Sequence, residues 1–540
     1  MTPTVRSIAD EHVERSALLD PLSATGRGIV GHDAEMTDLS PAGVEARAEH
    51  HRSTVAALRA VAVDGERDRV ARDVLLERLG VSIEQDEAGE QYRPLNILGS
   101  PVQRVRQVFD LMAKETDEDW AVLGERLGKV PAGLDGFRET LRAGMDRGLV
   151  SARRQALACA DQADTWAAPG SFFDGLVADR PSLVGAAADA RAAYGSLAAF
   201  LRDEYAPAAA VEDGVGRERY GPWVRAFNGI ELDVDETYRW GWDELQRIEA
   251  EMASVAERIL PGGGLAAAIE HLEAEGSPAI EGEDAFRAWL QDLMDRTVDE
   301  LDGVHFDIPA RVRRVEAMIA PPGGAAAMYY TGPSEDFSRP GRTWYPTQGR
   351  TRFPLWGEVS IAYHEGVPGH HLQVGQVRHL ADELTRFQRA VFVSGHGEGW
   401  ALYAERLMDE LGYLDDPAHR LGYLRAQAFR AARVVVDIGL HVGLRSPDTG
   451  SPWTPETADT FLLAHSWFPP EFVASEVIRY LGLPGQAISY KVGERVWLDA
   501  RAEVQARSGA AFDLKAFHAR ALDLGPMGLD QLRRELVAGA

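Results

Sequence analysis

Apolar residues recur at helical spacing along most of the chain, in segments separated by proline and glycine. At Asp38-Leu-Ser40-Pro41 a capping serine precedes a proline at the first helical position, which marks the start of a helix of about twenty residues. The same pattern predicts a helical layer over residues 1–215, with further helices near 67–79, 101–114, 117–128, 135–148, 151–167 and 181–206.

The second region, residues 216–540, carries the same helical pattern with one interruption. Helices are predicted near 234–258, 264–275 and 283–301. Between about 304 and 350 two β-prone segments, Ala327-Met-Tyr-Tyr-Thr331 and Arg342-Thr-Trp-Tyr345, lie among Gly and Pro residues and predict a small sheet or a pair of hairpins. After Trp356 helices resume. We therefore expect a mostly α fold with one small sheet, in which the two regions form one continuous body.

Charge and composition narrow the function classes. The 540 residues carry a formal net charge of −27, which argues against nucleic acid and an anionic membrane surface as partners. The single cysteine, Cys159, excludes an internal disulfide. No run of 18 apolar residues predicts a membrane span, and the first residues do not resemble a signal peptide, so a cytoplasmic location is expected.

The segment Tyr363-His-Glu-Gly-Val-Pro-Gly-His-His-Leu-Gln373 is the most informative part of the sequence. A catalytic zinc ion takes three protein ligands of imidazole or carboxylate type and leaves one position open. A glutamate beside the first histidine is placed to accept a proton from the attacking water. His364 is therefore a predicted metal ligand and Glu365 the predicted catalytic base.

An unbroken helix would not bring the second histidine to the metal, because His370 lies about 600° of helical rotation after His364. Pro368 lacks an N–H and clashes with the carbonyl four residues back, so the helix must bulge or break between the two histidines. Absorbing two residues in this way would bring His370 into position. His371 shares a helix face with His364 but adds about 10 Å of rise, so His370 is favoured.

The third ligand is expected from Ser394-Gly-His-Gly-Glu398-Gly-Trp-Ala-Leu-Tyr-Ala-Glu405. Glu398 and Glu405 are seven residues apart and share a helix face. One can bind the metal while the other orients a ligand histidine. Glu398 is the predicted ligand, with His396 as a rival.

These motifs resemble those of the bacterial domain-of-unknown-function family 885. The similarity covers Tyr-His-Glu-Gly-x-Pro-Gly-His-His-x-Gln and Glu-Gly-Trp-Ala-Leu-Tyr-x-Glu, and extends over nearly the whole chain. That family is distantly similar to the helical zincins, which include thermostable carboxypeptidases and angiotensin-converting enzyme. The resemblance implies a two-lobed helical body around a deep channel and a zinc ion held by His, His and Glu. It does not imply a substrate.

Two other segments carry polar residues suited to binding substrate. Arg433, Asp437 and His441 repeat every fourth residue in an apolar helix, so either they pair with one another or Arg433 and His441 face the substrate. The segment from Arg479 to Lys491 contains two tyrosines. Tyr490 is the first candidate for donating a hydrogen bond to the oxyanion and Tyr480 the second.

A carboxypeptidase also needs a cation for the terminal carboxylate of its substrate. Arg479, Lys491 and Arg339 are the candidates, and Tyr330 can line the cleft on an edge strand that pairs with an extended peptide.

The sequence thus predicts a zinc-dependent, carboxypeptidase-like hydrolase of peptide bonds. The alternatives are an amidohydrolase of a small N-acyl or γ-linked amino acid, and a non-catalytic binding protein on a peptidase fold. The expected partner is a peptide or a small peptide-like amide. The sequence leaves the oligomeric state open, with a homodimer as one candidate.

Overall fold

The computed structural model describes residues 3–320 and 328–539. Its internal contacts divide the chain into two compact units. The N-terminal unit comprises Met1–Pro222, Leu440–Val442 and Ser475–Pro484. The C-terminal unit comprises Trp223–Gly439, Gly443–Ala474 and Gly485–Ala540.

Several helices of the N-terminal part begin at a residue whose side chain caps them. The Ser40 side chain accepts a hydrogen bond from the Gly43 N–H and Pro41 occupies the first helical position, which confirms the predicted start. The helices are α1 Val5–Leu19, α2 Pro21–Gly26, α3 Pro41–Ala60, α4 Gly65–Glu87, α5 Pro101–Leu111, α6 Asp117–Gly128, α7 Val130–Asp146, α8 Arg153–Ala167, α9 Phe172–Leu176, α10 Val184–Phe200, α11 Ala206–Ala208 and α12 Arg217–Asn228.

Cys159 lies on α8 and belongs to the buried apolar cluster of the N-terminal unit, to which α5, α7 and α10 also contribute. Its side chain is fully buried, and burial raises the pKa of the thiol to about 12. Because the thiolate is the reactive form, we expect Cys159 to be unreactive and to contribute only to the packing of the core.

The remaining helices follow the pattern expected for the second region. Those predicted near 234–258 and 283–301 are confirmed as α13 and α15. The helices are α13 Val234–Ile259, α14 Gly264–His271, α15 Glu283–Leu301, α16 Val359–Glu365, α17 His370–His379, α18 Arg386–Ala390, α19 Ser394–Glu410, α20 Pro417–Val442, α21 Pro455–Ser466, α22 Pro470–Gly482, α23 Ser489–Ser508, α24 Leu514–Asp523 and α25 Leu529–Ala538.

Strands are few and short, so the mostly helical class is confirmed. They are β1 Ala279–Glu281, β2 Val315–Ile319, β3 Tyr329–Thr331, β4 Gly341–Tyr345 and β5 Arg352–Pro354. A three-stranded sheet in the order β2-β4-β3 lies in the predicted region, of which residues 321–327 fall outside the described residues. β4 is antiparallel to β3 and parallel to β2, so two hairpins would be the wrong description. A second sheet pairs β1 with β5.

Within the described ranges, no helix combines the length and the apolar character needed to cross a membrane.

Candidate metal centre

The helix that carries His364 breaks where Pro368 and Gly369 predict a break. Helix α16 ends at Glu365 and α17 begins at His370, so the intervening residues form a turn and not a bulge within one helix. The Gly369 N–H donates to the Tyr363 carbonyl at 3.0 Å. A Cβ on Gly369 would lie 1.9 Å from the His364 carbonyl oxygen, so the turn requires glycine.

This turn brings two histidine rings together. The ring centroids of His364 and His370 are 4.8 Å apart, and the ring planes are nearly perpendicular at 87°. The Nε2 atoms of both histidines lie 3.5 Å from the same carboxylate oxygen, Oε2 of Glu398 on α19. All three ligand-type atoms lie within 4.8 Å of one another, and both histidines are buried.

The donor set fits a zinc ion of the catalytic type. Two imidazoles and one carboxylate are three ligands and leave a fourth position open. Ligand atoms about 2.0–2.1 Å from a tetrahedral zinc ion lie about 3.3 Å apart, close to the separation found between each histidine and Glu398. The three residues predicted as ligands from the sequence thus converge at one point, and metal binding by them stays a prediction.

A second carboxylate orients His364. The Nδ1–H of His364 donates to Oε1 of Glu405 at 2.7 Å, so Nε2 is left as the atom that faces Glu398. Glu405 is fully buried, and Nη1 of Arg430 on α20 lies 3.1 Å from the same oxygen. Such a carboxylate partner fixes the tautomer and raises the basicity of a ligand histidine.

The centre is electrostatically suited to a cation. Burial and the nearby Arg430 lower the pKa of His364, but hydrogen bonds to Glu398 and Glu405 outweigh them and raise it to about 9. Burial alone would raise the pKa of Glu398, yet its contacts with His364 and His370 hold that pKa below its usual value. Two negative carboxylates therefore stabilise positive charge at this point, which is the charge a metal ion brings.

His371 has another role. Its Nε2–H donates to the Val312 carbonyl at 2.6 Å, so Nδ1 must accept the hydrogen bond from the Tyr330 hydroxyl at 2.9 Å. Burial lowers the pKa of His371 to about 4, which keeps the ring neutral. Both ring nitrogens are occupied, and a Cβ on Gly341 would collide with this histidine and with Tyr330. His371 therefore positions Tyr330.

Glu365 lies at the end of α16, directly after His364. Its side chain is 6% exposed, and Oε2 has no hydrogen-bond partner among the residues that the structure describes. Burial raises the pKa of Tyr330, and the negative charge of Glu365 adds to this effect. A buried carboxylate oxygen without a protein partner is costly unless a water molecule or a ligand satisfies it.

Trp400, which has no role predicted from the sequence, is connected to the turn. The indole Nε1–H on α19 donates to the carbonyl oxygens of Pro368 at 2.9 Å and Gly369 at 3.2 Å. Since Trp400 lies two residues after Glu398, the helix that carries the third ligand also holds the turn between the first two. The only signal in the sequence was its place beside Glu398.

Helices α19 and α23 cross at close range beside Glu398. A Cβ on Gly399 would lie 2.5 Å from Gly493, and a Cβ on Gly493 would lie 2.1 Å from the Gly395 carbonyl oxygen. We expect Gly493→Ala to push α19 away, to lower the free energy of unfolding by about 1–3 kcal/mol and to weaken zinc binding. Urea unfolding and zinc titration measure these effects.

The matched control is Gly80→Ala in α4, where a Cβ meets no atom within 4 Å. It should leave zinc affinity unchanged and stabilise the protein by up to about 1 kcal/mol, since alanine favours the helix. A Gly493→Ala protein with wild-type stability and zinc affinity would contradict the role assigned to the crossing.

Two of the substrate-binding candidates lie near Arg430. The Tyr490 ring has the guanidinium carbons of Arg430 and Arg433 at 5.7 Å and 4.9 Å from its centroid. Arg433 also stacks on Phe429 at 4.4 Å. Arg430 pairs with Glu405, and Glu405 accepts the hydrogen bond from His364. Tyr490 and Arg433 therefore lie near His364.

Lys491 does not have the role expected for it. The side chain is 1% exposed, and Nζ donates to Glu244 at 2.9 Å, to Gln427 at 3.0 Å and to Glu494. An ammonium group has three donors, so none is left for a substrate carboxylate. Lys491 instead joins helices α13, α20 and α23.

Three further candidates belong to the N-terminal unit and contact one another there. The Tyr480 hydroxyl donates to Glu476 at 2.8 Å, so its single proton is already used. Arg479 donates to the same carboxylate at 2.9 and 2.8 Å. His441 Nε2–H donates to the Tyr480 carbonyl at 3.0 Å. Asp437, the third residue of the predicted polar row, accepts a hydrogen bond from the Gly485 N–H at 2.9 Å.

Solved structures share this fold at low sequence identity. The putative lipoprotein from Colwellia psychrerythraea is 22% identical, with a TM-score of 0.85 over 99% of this chain and 98% of that one. A putative lipoprotein of unknown function from Shewanella oneidensis is 17% identical, with a TM-score of 0.75 over 99% of both chains. A carboxypeptidase from Pyrococcus furiosus, 12% identical over 100% of this chain and 96% of that one, has a TM-score of 0.43, too low to support an argument.

No curated protein sequence matches this chain. A family model, described as a bacterial protein of unknown function (DUF885), matches residues 21–536. The match includes every residue of the candidate centre, and its extent leaves only short ends outside. The chain belongs to this family of bacterial proteins, DUF885.

Proposed function

We propose that the chain is a zinc-dependent hydrolase of peptide bonds with carboxypeptidase-like preference. The observation that carries this proposal is the position of Glu365. It follows a histidine of the three-residue cluster directly, is buried, and has a carboxylate oxygen with no hydrogen-bond partner in the described part of the chain. A purely structural site has no use for such a carboxylate.

His364, His370 and Glu398 would hold the zinc ion, with Glu405 orienting His364. When bound, zinc supplies a Lewis acid that polarises a carbonyl group and lowers the pKa of water. Glu365 accepts the proton of the attacking water and then gives it to the departing amine. Burial of the site strengthens the polarisation of the carbonyl group and the attraction between Glu365 and the proton, because water does not screen the charges there.

The developing oxyanion needs a hydrogen-bond donor, and Tyr490 remains the first candidate. Tyr480 and Tyr330 are weaker candidates. Tyr480 already donates its proton to Glu476, and Tyr330 donates its proton to His371. Tyr330 can instead accept a hydrogen bond from an N–H of the substrate through its lone pairs.

Strand β3 offers a place for an extended peptide. It is at the edge of the sheet order β2-β4-β3, and it carries Tyr330. An edge strand can pair with a peptide through main-chain hydrogen bonds.

The expected cytoplasmic location and a homodimer both stay predictions.

Metal removal tests the proposal. The protein is stripped with a chelator, then titrated with zinc, and hydrolysis of a randomised tripeptide mixture is followed at each step. We expect activity to disappear on stripping and to return in full at about one zinc ion per chain.

Circular dichroism provides the control, because the stripped protein should keep its helices. Hydrolysis that persists without metal would contradict the proposal. Loss of the fold on stripping, with no hydrolysis at any zinc level, would favour a structural metal instead.

A further inference from the structure

Three arginines of the C-terminal unit lie close enough together for their charges to interact. Arg378 lies near the end of α17, Arg389 lies on α18, and Arg339 lies in the loop between β3 and β4. Burial lowers the pKa of Arg378, and the positive charges of Arg389 and Arg339 lower it further. Like charges held this close repel one another, so the cluster needs negative charge.

Only part of that charge is supplied by the protein. Oε1 of Glu335 lies 3.4 Å from Nη1 of Arg378 and 3.9 Å from Nη1 of Arg389. Both distances exceed the 2.7–2.9 Å typical of charge-assisted hydrogen bonds. The Glu335 side chain is 51% exposed. Among the described residues, the buried Nε atoms of Arg378 and Arg389 have no hydrogen-bond partner. The cluster therefore has guanidinium donors in excess.

The cluster is linked to the metal centre through α17 and Tyr330. Arg378 follows His370 by eight residues, about 12 Å of helix rise, and side chains on a helix lean towards its N-terminus. The Tyr330 hydroxyl bonds His371, and the charges of Arg339, Arg378 and Glu365 all act on its pKa. Two or three extended residues, at about 3.3–3.6 Å each, span this separation.

We infer that Arg378 and Arg389, assisted by Arg339, bind the terminal carboxylate of the substrate and so set its distance from the scissile bond. The inference rests on the proposed function and names its specificity residues. The planar fork of arginine matches a carboxylate in two-point hydrogen bonding. The paired guanidiniums already approach one carboxylate oxygen of Glu335, which a substrate carboxylate would replace.

The test compares Arg378→Gln and Arg389→Gln with Arg296→Gln, a matched control whose exposed arginine pairs with Asp292 on α15. Randomised tripeptides are used as free acids and as C-terminal amides. For the wild-type protein we expect kcat/KM to be about 10- to 100-fold higher for the free acids than for the amides, because only the acids form a charge-assisted pair with the arginines. Each cluster variant should lose most of this preference through a higher KM for the acids, with amide hydrolysis and zinc content unchanged.

Glu335→Gln should act in the opposite direction. It removes the competing carboxylate, so free acids should bind about threefold or more tightly while amides are unaffected.

A third set of peptides, amidated but ending in glutamate, separates a main-chain carboxylate from a side-chain one. Preference for these peptides that depends on Arg378 would overturn the terminal assignment.

Binding to the zinc-loaded Glu365→Gln protein, measured by calorimetry, separates this inference from the proposed function. Free acids that bind more tightly than amides, with the preference lost on Arg378→Gln, support the carboxylate site even if no peptide is hydrolysed. Equal affinity for acids and amides, or an equal loss for both in the cluster variants, would overturn it. Comparable circular dichroism spectra show that both variants are folded.

Discussion

Glu365→Gln is expected to lower kcat by roughly 100- to 10,000-fold while the protein keeps its zinc ion and its fold. Glutamine has nearly the shape of glutamate but cannot accept a proton, so the change removes only the base. The side chain makes no hydrogen bond through Oε2 to the described residues, so no such bond is lost on substitution. The measurement is the rate of tripeptide hydrolysis together with elemental analysis for zinc.

Glu358→Gln is the matched control. Glu358 is a buried glutamate immediately before α16, and burial raises the pKa of its carboxyl group. This variant should retain its activity. Near-normal turnover in Glu365→Gln would show that another group accepts the proton, and the mechanism proposed above would be wrong.

His364→Ala, His370→Ala and Glu398→Ala are each expected to lose most of the bound zinc. The wild-type protein should contain about one zinc ion per chain, since three protein ligands are the usual number at a catalytic site. The donor atoms of the three residues lie within 4.8 Å of one another in the structure. Each variant removes one of the three and leaves only two ligands. Elemental analysis after gel filtration measures the result.

Two comparisons make this test specific. His379→Ala changes an exposed histidine of the same helix, α17, and should keep its zinc. Glu405→Gln removes only the charge that orients His364, so zinc affinity should fall by about 10- to 100-fold without being lost. Full zinc content in all three ligand variants would reject the assigned centre.

Much of the candidate centre could be predicted from local sequence. The adjacency of His364 and Glu365, the break at Pro368-Gly369, and the spacing of Glu398 and Glu405 are covalent or short-range features. A proline fixes where a helix must end, and seven residues return a side chain to the same helix face. The form of the break was not predicted. A bulge that absorbs two residues was expected, whereas the structure has a four-residue turn whose closure depends on Gly369.

The roles of several other charged residues could not be read from the sequence. Lys491 was a candidate for binding a carboxylate, but Glu244 and Gln427 from distant segments and Glu494 from its own helix use all its donors. No local pattern distinguishes Arg378 and Arg389 in the sequence, since single arginines are usually solvent-exposed. Their excess of positive charge arises only when α17, α18 and the β3–β4 loop meet.

The sequence by itself determined the helical class, the positions of several helix ends and the three ligand-type residues. These depend on caps, prolines and periodicity, which act over a few residues. Only the tertiary structure shows that both ring nitrogens of His371 are occupied, because the Val312 carbonyl and the Tyr330 hydroxyl lie 59 and 41 residues away along the chain. Hydrogen bonds to such distant partners leave no periodic trace in the sequence, so only the folded chain assigns them.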